Sequence, residues 1–408
     1  MTQANTNKKQ KWQFTLGNIC TILVGIYIAT VLVFSYDVDK NFISQLAFIA
    51  MGCGCILYCI THKREYDKSP IFRWLIMVAL LSFISIAWAV NRSFSFGKCI
   101  TVIQLVLLAL FVFLIVDTRL KLDIVLNSLI FSGYFMYAYS VLFYGISGIQ
   151  EMASDEIRLG DAINQENSFG FYSAIVFMLA LYRMIYCHQK RFCIFLPVPI
   201  IMGLLTGSKK TALLLAILFV AVILFQSKKR LLIRLIGIGT AFAVVVIILY
   251  NLGVLDTLLS RTQLMQSGSD ESTLERIHYI RFGLEKIKQS PILGYGIESF
   301  ELLYKNSTGI QVPSHNNYIQ LGTSFGIVGI ILWYSTYFRF LKMGIKYFYY
   351  DRLAPLLVFF VIMTLINDFT TTTLINKMTY VLIAICFSAT NIIRKENQLL
   401  EKGRYEYE

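Results

Sequence analysis

The sequence predicts an all-α polytopic membrane protein of about twelve transmembrane helices, with one large extracytoplasmic loop that contains short helices. Three observations lead there. Of 408 residues, 56% are apolar and only 15% are charged, against about 25% charged in a soluble domain. Mean hydropathy is +0.63, although 37 basic residues against 24 acidic leave a net charge of +13. The apolar residues also gather into runs close to the ~20 residues that cross a bilayer. A chain with so little polar surface is not a basic nucleic-acid-binding globule. With 6 Pro and 25 Gly, it is not collagen-like or disordered either.

Taken in order, the runs fall at 14–35, 42–61, 71–90, 99–116, 122–145, 168–187, 191–207, 210–226, 231–252, 317–338, 353–372 and 377–393. They form one integral membrane domain over 1–408. Nine spans lie in 14–252, the long loop covers 253–316, three more spans lie in 317–393, and 394–408 is a tail. The seventh and eighth runs are short, and Asn367 and Asp368 interrupt the eleventh. Lys8, Lys9 and Lys11 precede the first run, which is too long for a signal-peptide core and lacks a small-residue cleavage site. It reads as a retained first span.

Twelve spans put both termini on one side, and the basic residues choose that side. Short cytoplasmic loops collect Lys and Arg. The short loops on the other face hold only Lys40, Arg92, Lys98, Arg158, Lys209, Lys210 and Lys377. Both termini are therefore expected in the cytoplasm, and the tail cations Arg394, Lys395, Lys402 and Arg404 read as an anchor to anionic lipids. The eight cysteines all lie in or beside apolar runs, which suits packing better than a disulfide framework.

The cations left outside need a reason, because they oppose the orientation rule. Lys209 and Lys210 form a pair in the tight turn after Thr206-Gly207-Ser208; snorkelling to headgroups is the simpler reading of them. In the long loop, Ser272-Thr273-Leu274-Glu275 fits a capping box with Ser272 as N-cap. Leu274, Ile277, Ile280, Leu284 and Ile287 follow at helical spacing, and Pro291 closes the helix. Arg276 sits in its first turn, where the positive helix end reinforces an anion site. His315 and Asn316 then stand at the outer mouth of the tenth span, with Gly326 and Gly329 farther in, where small residues allow close helix packing.

Four segments in this order resemble the O-antigen ligase and polymerase superfamily of bacterial membrane glycosyltransferases. His315-Asn316, nine residues and then Gly326-Ile-Val-Gly329 resemble that family's signature at the end of its large periplasmic loop. Leu205 to Leu213 resemble its Thr-Gly-Ser-Arg turn, with lysine at 209 in place of the two-pronged arginine. Glu275-Arg276 through Ser290 to Gly296 resemble its Arg-helix-Pro-x-Gly-x-Gly segment, and Arg158 through Asn167 to Gly170 its upstream Arg…Asn…Gly stretch. Asn167-Ser168 departs from the Pro-Asn often found there.

The resemblance implies transfer of a glycan from an undecaprenyl-diphosphate carrier on the outer face of the cytoplasmic membrane. It implies Arg276, Lys209, Lys210 and Arg158 on the diphosphate, and His315 as base to the acceptor hydroxyl, with Asn316 beside it in the substrate-binding set. Such chemistry needs cations where charge builds on the leaving diphosphate and a base with pKa near neutrality, and no metal or other cofactor. The expected partners are the lipid-linked oligosaccharide, the acceptor glycan and the bilayer, with a chain-length regulator and a flippase as protein partners, and no nucleic acid. A polymerase passes the glycan to another lipid-linked unit; a ligase passes it to lipid A core or another envelope acceptor. The turn and the length favour the polymerase.

Two rivals are weaker. Asp37-Val38-Asp39 resembles a metal-binding Asp-x-Asp, but two carboxylates hold Mg²⁺ or Mn²⁺ poorly. The acidic cluster Glu151, Asp155, Glu156, Asp161 and Glu166 suits the sugar entrance better than a metal. A transporter or flippase of lipid-linked sugars also fits twelve spans, but related halves and midplane charges are not evident.

Overall fold

In a computed structural model of the chain, the described residues are 15–37, 39–62, 69–154, 159, 165–224 and 271–405. They are all helical, without a strand. The α-helices are α1 Leu16–Phe34, α2 Asn41–Thr61, α3 Pro70–Ile84, α4 Arg92–Ile115, α5 Arg119–Ser154, α6 Glu166–Ile185 and α7 Pro197–Leu205. After them come α8 Lys209–Leu224, α9 Glu271–Gln289, α10 Phe300–Thr308, α11 Asn317–Tyr347, α12 Ala354–Asp368 and α13 Lys377–Tyr405. Among these residues 7 helices are long and apolar enough to cross a membrane: α1, α2, α3 with the 3₁₀ turn that extends it to Trp88, α4, α5, α6 and α11.

The twelve-span expectation meets this set in part. The run at 191–207 is no continuous helix: a 3₁₀ segment Lys190–Phe195 leads into the 9-residue α7, which starts at Pro197. At 1.5 Å per residue α7 is only about 13 Å long, less than half the hydrocarbon thickness. The run at 231–252 lies outside the described residues.

Hydropathy by itself does not say which helices face lipid. α6 is buried continuously from Phe169 to Arg183, and α1, α5 and α12 pack around the same core. By contrast Phe42, Leu46, Ile49, Ile56 and Ile60 of α2, and Ile76, Leu80 and Phe83 of α3, are exposed. An outward row of large apolar side chains on a helix of this length is a lipid-facing surface.

The polar ends of the bundle are organised differently. At the end reached by Lys121, Arg183 and Asp351, cations are neutralised by carboxylates. Arg119 pairs with Asp351 and Glu396, Lys121 with Asp117 at 2.7 Å, and Arg183 with Asp123 at 2.7 Å. The opposite end carries the 206–209 turn, α9, α10 and the start of α11.

α11 is not one rod. Gly326 has φ 61° and ψ −153°, a region open essentially to glycine, and it breaks the helix after its first turns. The carbonyls freed at the break, Thr323 and Ser324, accept from the amides of Tyr295 and Gly296 at 2.8 and 3.0 Å. In return the amides of Ile327 and Val328 donate to Pro291 and Ile292 at 2.8 and 3.4 Å. A Cβ at Gly326 would lie 2.6 Å from the Pro291 carbonyl and closer still to Ile292. The expectation that Gly326 serves close helix-to-helix packing is thus corrected: it lets the 290–296 turn plug into a helix break. The break also divides α11 chemically. Asn317, Gln320, Thr323 and Ser324 before it are buried polar residues, whereas Ile327, Ile331 and Phe338 after it are exposed and apolar.

Candidate active site

The turn before α8 is held from both sides. Thr206 Oγ1 donates to the Gly203 carbonyl at 2.6 Å and accepts from the Ser208 amide at 3.3 Å. Gly207 supplies the left-handed residue, with φ 60°. Ser208 acts as N-cap: its hydroxyl accepts from the Thr211 amide at 3.4 Å and donates to Asn167 Oδ1 at 3.1 Å. Gly170 of α6 faces the same turn, and a Cβ there would collide with the Thr211 hydroxyl. The Asn167 to Gly170 stretch therefore touches the lysine turn directly. Arg158 lies outside the described residues, although its neighbour Leu159 is buried and donates its amide to the Leu205 carbonyl at 3.3 Å.

The two lysines differ. Lys209 is half-buried at the mouth of the turn. Lys210 is buried, and its ammonium donates to Asn367 Oδ1 and Thr371 Oγ1, both at 2.9 Å. This ties the start of α8 to the end of α12, a contact that disfavours the snorkelling reading for Lys210.

The end of α12 in turn holds the start of α11. Asn316 caps α11, its Oδ1 accepting from the Ile319 amide at 3.0 Å while its Nδ2 donates to the Phe369 carbonyl at 3.1 Å. Asn317 Oδ1 accepts from the amides of Thr373 and Leu374 at 2.9 and 3.2 Å. The carboxylate of Asp368, wholly buried, accepts from Tyr334 at 2.8 Å, Thr373 at 2.9 Å and Asn317 at 3.3 Å. Asp368 is the residue sequence reasoning missed. The signal is present, since a carboxylate inside an apolar run must be bonded or paired, but hydropathy reads 353–372 only as an interrupted span. Both ends of the Asn316 amide are already bonded within the protein, so it is positioned to brace the loop.

His315 sits between these supports. Its φ of 49° places it in the left-handed region, a costly conformation for a residue with a Cβ. Ser314 stabilises the bend, its single hydroxyl proton lying within reach of both Gln320 Oε1 at 2.9 Å and the Asn316 carbonyl at 2.8 Å. The imidazole stacks on Tyr279 of α9, with ring centroids 6.1 Å apart and planes at 29°. Burial, then the positive charges of Arg276 and Lys210, hold its pKa below the ordinary histidine value. The ring is therefore neutral at pH 7, the form that accepts a proton. Arg276, Lys210 and His315, far apart in sequence, thus share one electrostatic environment.

α9 reaches this site by a different face from the one its periodicity suggests. Leu274, Ile277 and Leu284 are exposed. The inward face is Tyr279, Phe282, Gly283 and Ile287: a Cβ on Gly283 would strike Ile319, and one on Gly322 would strike Ile287. Aromatic rings bury more surface than Leu or Ile, and the two glycines let the helices close. Ser272 is already the second helical residue, inside α9 and not its cap. Pro291 follows the end of α9, as expected.

Of the rival sites, Asp37 pairs with Lys40 at 2.7 Å and accepts from the Asp39 amide at 3.0 Å, which makes it a turn residue. Of the acidic cluster, Asp155, Glu156 and Asp161 lie outside the described residues, and Glu166 is in the first turn of α6. Among the described residues no group of three His, Cys, Asp or Glu is placed to hold a metal ion.

No curated protein matches the chain in sequence. Residues 192–334, which contain the lysine turn, α9, His315 and the Gly326 break, match the O-antigen ligase family. Over that span the chain is similar to the O-antigen ligases, and the segment is carried on a multi-pass membrane protein.

Proposed function

We propose that the chain is a polysaccharide polymerase. It takes a glycan from an undecaprenyl-diphosphate donor and passes it to a lipid-linked acceptor on the outer face of the bacterial cytoplasmic membrane. The observation that carries the reading is that the left-handed, half-buried His315 lies in the field of Arg276 and Lys210, cations from two other segments, which with burial keep the imidazole neutral. In the reaction the acceptor hydroxyl attacks C1 of the donor sugar from the face opposite the diphosphate. The new C1–O bond forms, the bond to the diphosphate breaks with its electron pair leaving on oxygen, and the configuration inverts. His315 takes the hydroxyl proton. Arg276, Lys209 and Lys210 meet the charge that builds on the departing diphosphate, in surroundings dry enough to strengthen the attraction. Arg158 is a fourth cation for that group. Asn316 and Asp368 act through position, by holding the left-handed turn at His315.

The topology that goes with this reading has both termini cytoplasmic and the site extracytoplasmic, with residues 253–316 as a cap over the site. The family's description as an O-antigen ligase supports a second reading, transfer to lipid A core or another envelope acceptor. One experiment separates them. Purified protein with lipid-linked repeat units and a chelator is expected to give a ladder of longer lipid-linked products. Transfer only to an added core or wall acceptor favours the ligase. No transfer to either acceptor refutes the proposal.

A further inference from the structure

At the end of the bundle opposite His315, a cavity of about 390 Å³ opens between the start of α3, the end of α11 and α13. Arg339, Lys342 and Lys346 of α11 and Arg394 of α13 line it, with Phe340, Met343 and Phe387 among the apolar residues of its wall. No carboxylate among the described residues lines it.

Arg339, Lys342 and Lys346 follow at i, i+3 and i+7, one face of the helix, where like charges repel. Orientation in a membrane asks for cations near the ends of spans, but not for four of them around one cavity. The exposed Tyr349 and Tyr350 just beyond mark the level of the headgroups. Arg339 stands just past the span 317–338, at the inner end of the crossing. Ser69, the residue that caps α3, adds a hydroxyl at the rim.

A cationic rim over an apolar floor, open at headgroup depth, has the shape of an amphiphile with a phosphate head. We propose that this cavity binds the phosphodiester headgroup of an anionic phospholipid from the leaflet opposite the active site, with the first part of an acyl chain on Phe340 and Phe387. The proposal is independent of the transferase reading.

The test uses the full-length protein in phosphatidylcholine nanodiscs, with phosphatidylglycerol titrated in and bound lipid counted by native mass spectrometry. Wild type is expected to retain phosphatidylglycerol over phosphatidylcholine. With about fivefold per basic residue at a membrane surface, the double variant Arg339→Gln/Lys346→Gln weakens retention roughly 30-fold. The charge-keeping exchange Arg339→Lys/Lys346→Arg stays within a few-fold of wild type. Equal retention by wild type and the Gln pair overturns the site, and displacement of the lipid by millimolar inorganic phosphate overturns the lipid as its occupant. Should the Gln pair fail to fold, a photoreactive phosphatidylglycerol on wild type decides. Crosslinks at 339–347 or 387–394 support the site, and crosslinks only elsewhere overturn it.

Discussion

Gly326→Ala tests how the outer loop is joined to the membrane helices. The native φ of 61° and ψ of −153° are essentially closed to alanine, a cost of about 1–3 kcal/mol. The new methyl also meets Pro291 and Ile292, so the exchange of hydrogen bonds between 291–296 and the break is weakened. At about 0.5–1.5 kcal/mol each, two lost bonds add about 1–3 kcal/mol. Alanine's preference for helix returns about 1 kcal/mol if α11 straightens, which leaves a net loss of about 1–5 kcal/mol. Two further variants divide the effect. Gly309→Ala carries the same kind of penalty, φ 81°, with nothing within 4 Å, and so isolates the backbone cost. Gly97→Ala, in the second turn of α4 with nothing within 4 Å, is expected to be neutral or slightly stabilising. In thermal unfolding monitored by tryptophan fluorescence in detergent, the expected order of midpoints is Gly97→Ala, Gly309→Ala and then Gly326→Ala, the last several degrees below wild type. If Gly326→Ala melts with Gly309→Ala and extends chains at the wild-type rate, the plug at the helix break contributes nothing and the argument fails.

Four further outcomes are expected. His315→Ala abolishes chain extension at unchanged protein level, and wild-type-length polymer would remove the histidine from the mechanism. Because a lowered pKa keeps His315 neutral at pH 7, wild-type rate should stay flat above about pH 6.5 and fall only below it. Arg276→Gln removes one cause of the lowering and moves the acid limb to higher pH, whereas an unmoved limb in a pH–rate profile contradicts the assignment. Lys209→Gln should weaken donor binding with little loss of stability, and Lys209→Arg should restore it. Lys210→Gln should lose both, since its ammonium joins α8 to α12; titration of lipid diphosphate against each variant, alongside melting, separates the two lysines. Burial pushes the Glu298 carboxyl up to about 7. Its folded pKa is raised, so the stability it contributes is full below about pH 4.3, the unfolded value, and is lost as pH rises through about 7. Glu298→Gln should therefore be the more stable protein at pH 8, and equal pH slopes for the two proteins would refute this.

The composition, the apolar runs and the one-sided cations were legible in the sequence because each is a sum over local residues. So were the lysine turn, the helix ending at Pro291 and the placement of His315 before a span. Each of these is a turn or a helix end written in a few consecutive residues. The bonds that assemble the site are of another kind. Lys210 and Asn367 stand 157 positions apart, and Asn316 reaches a carbonyl 53 positions away. Hydropathy marked Asp368 as a blemish in a span, and only packing showed it as the acceptor for Tyr334, Asn317 and Thr373. Tertiary structure alone also turned α9 so that Tyr279 faces His315, and broke α11 at Gly326. The physical reason is the same in both cases. Periodicity reports that a helix has an apolar face and a glycine reports that the backbone is free, but neither names the surface that will meet it.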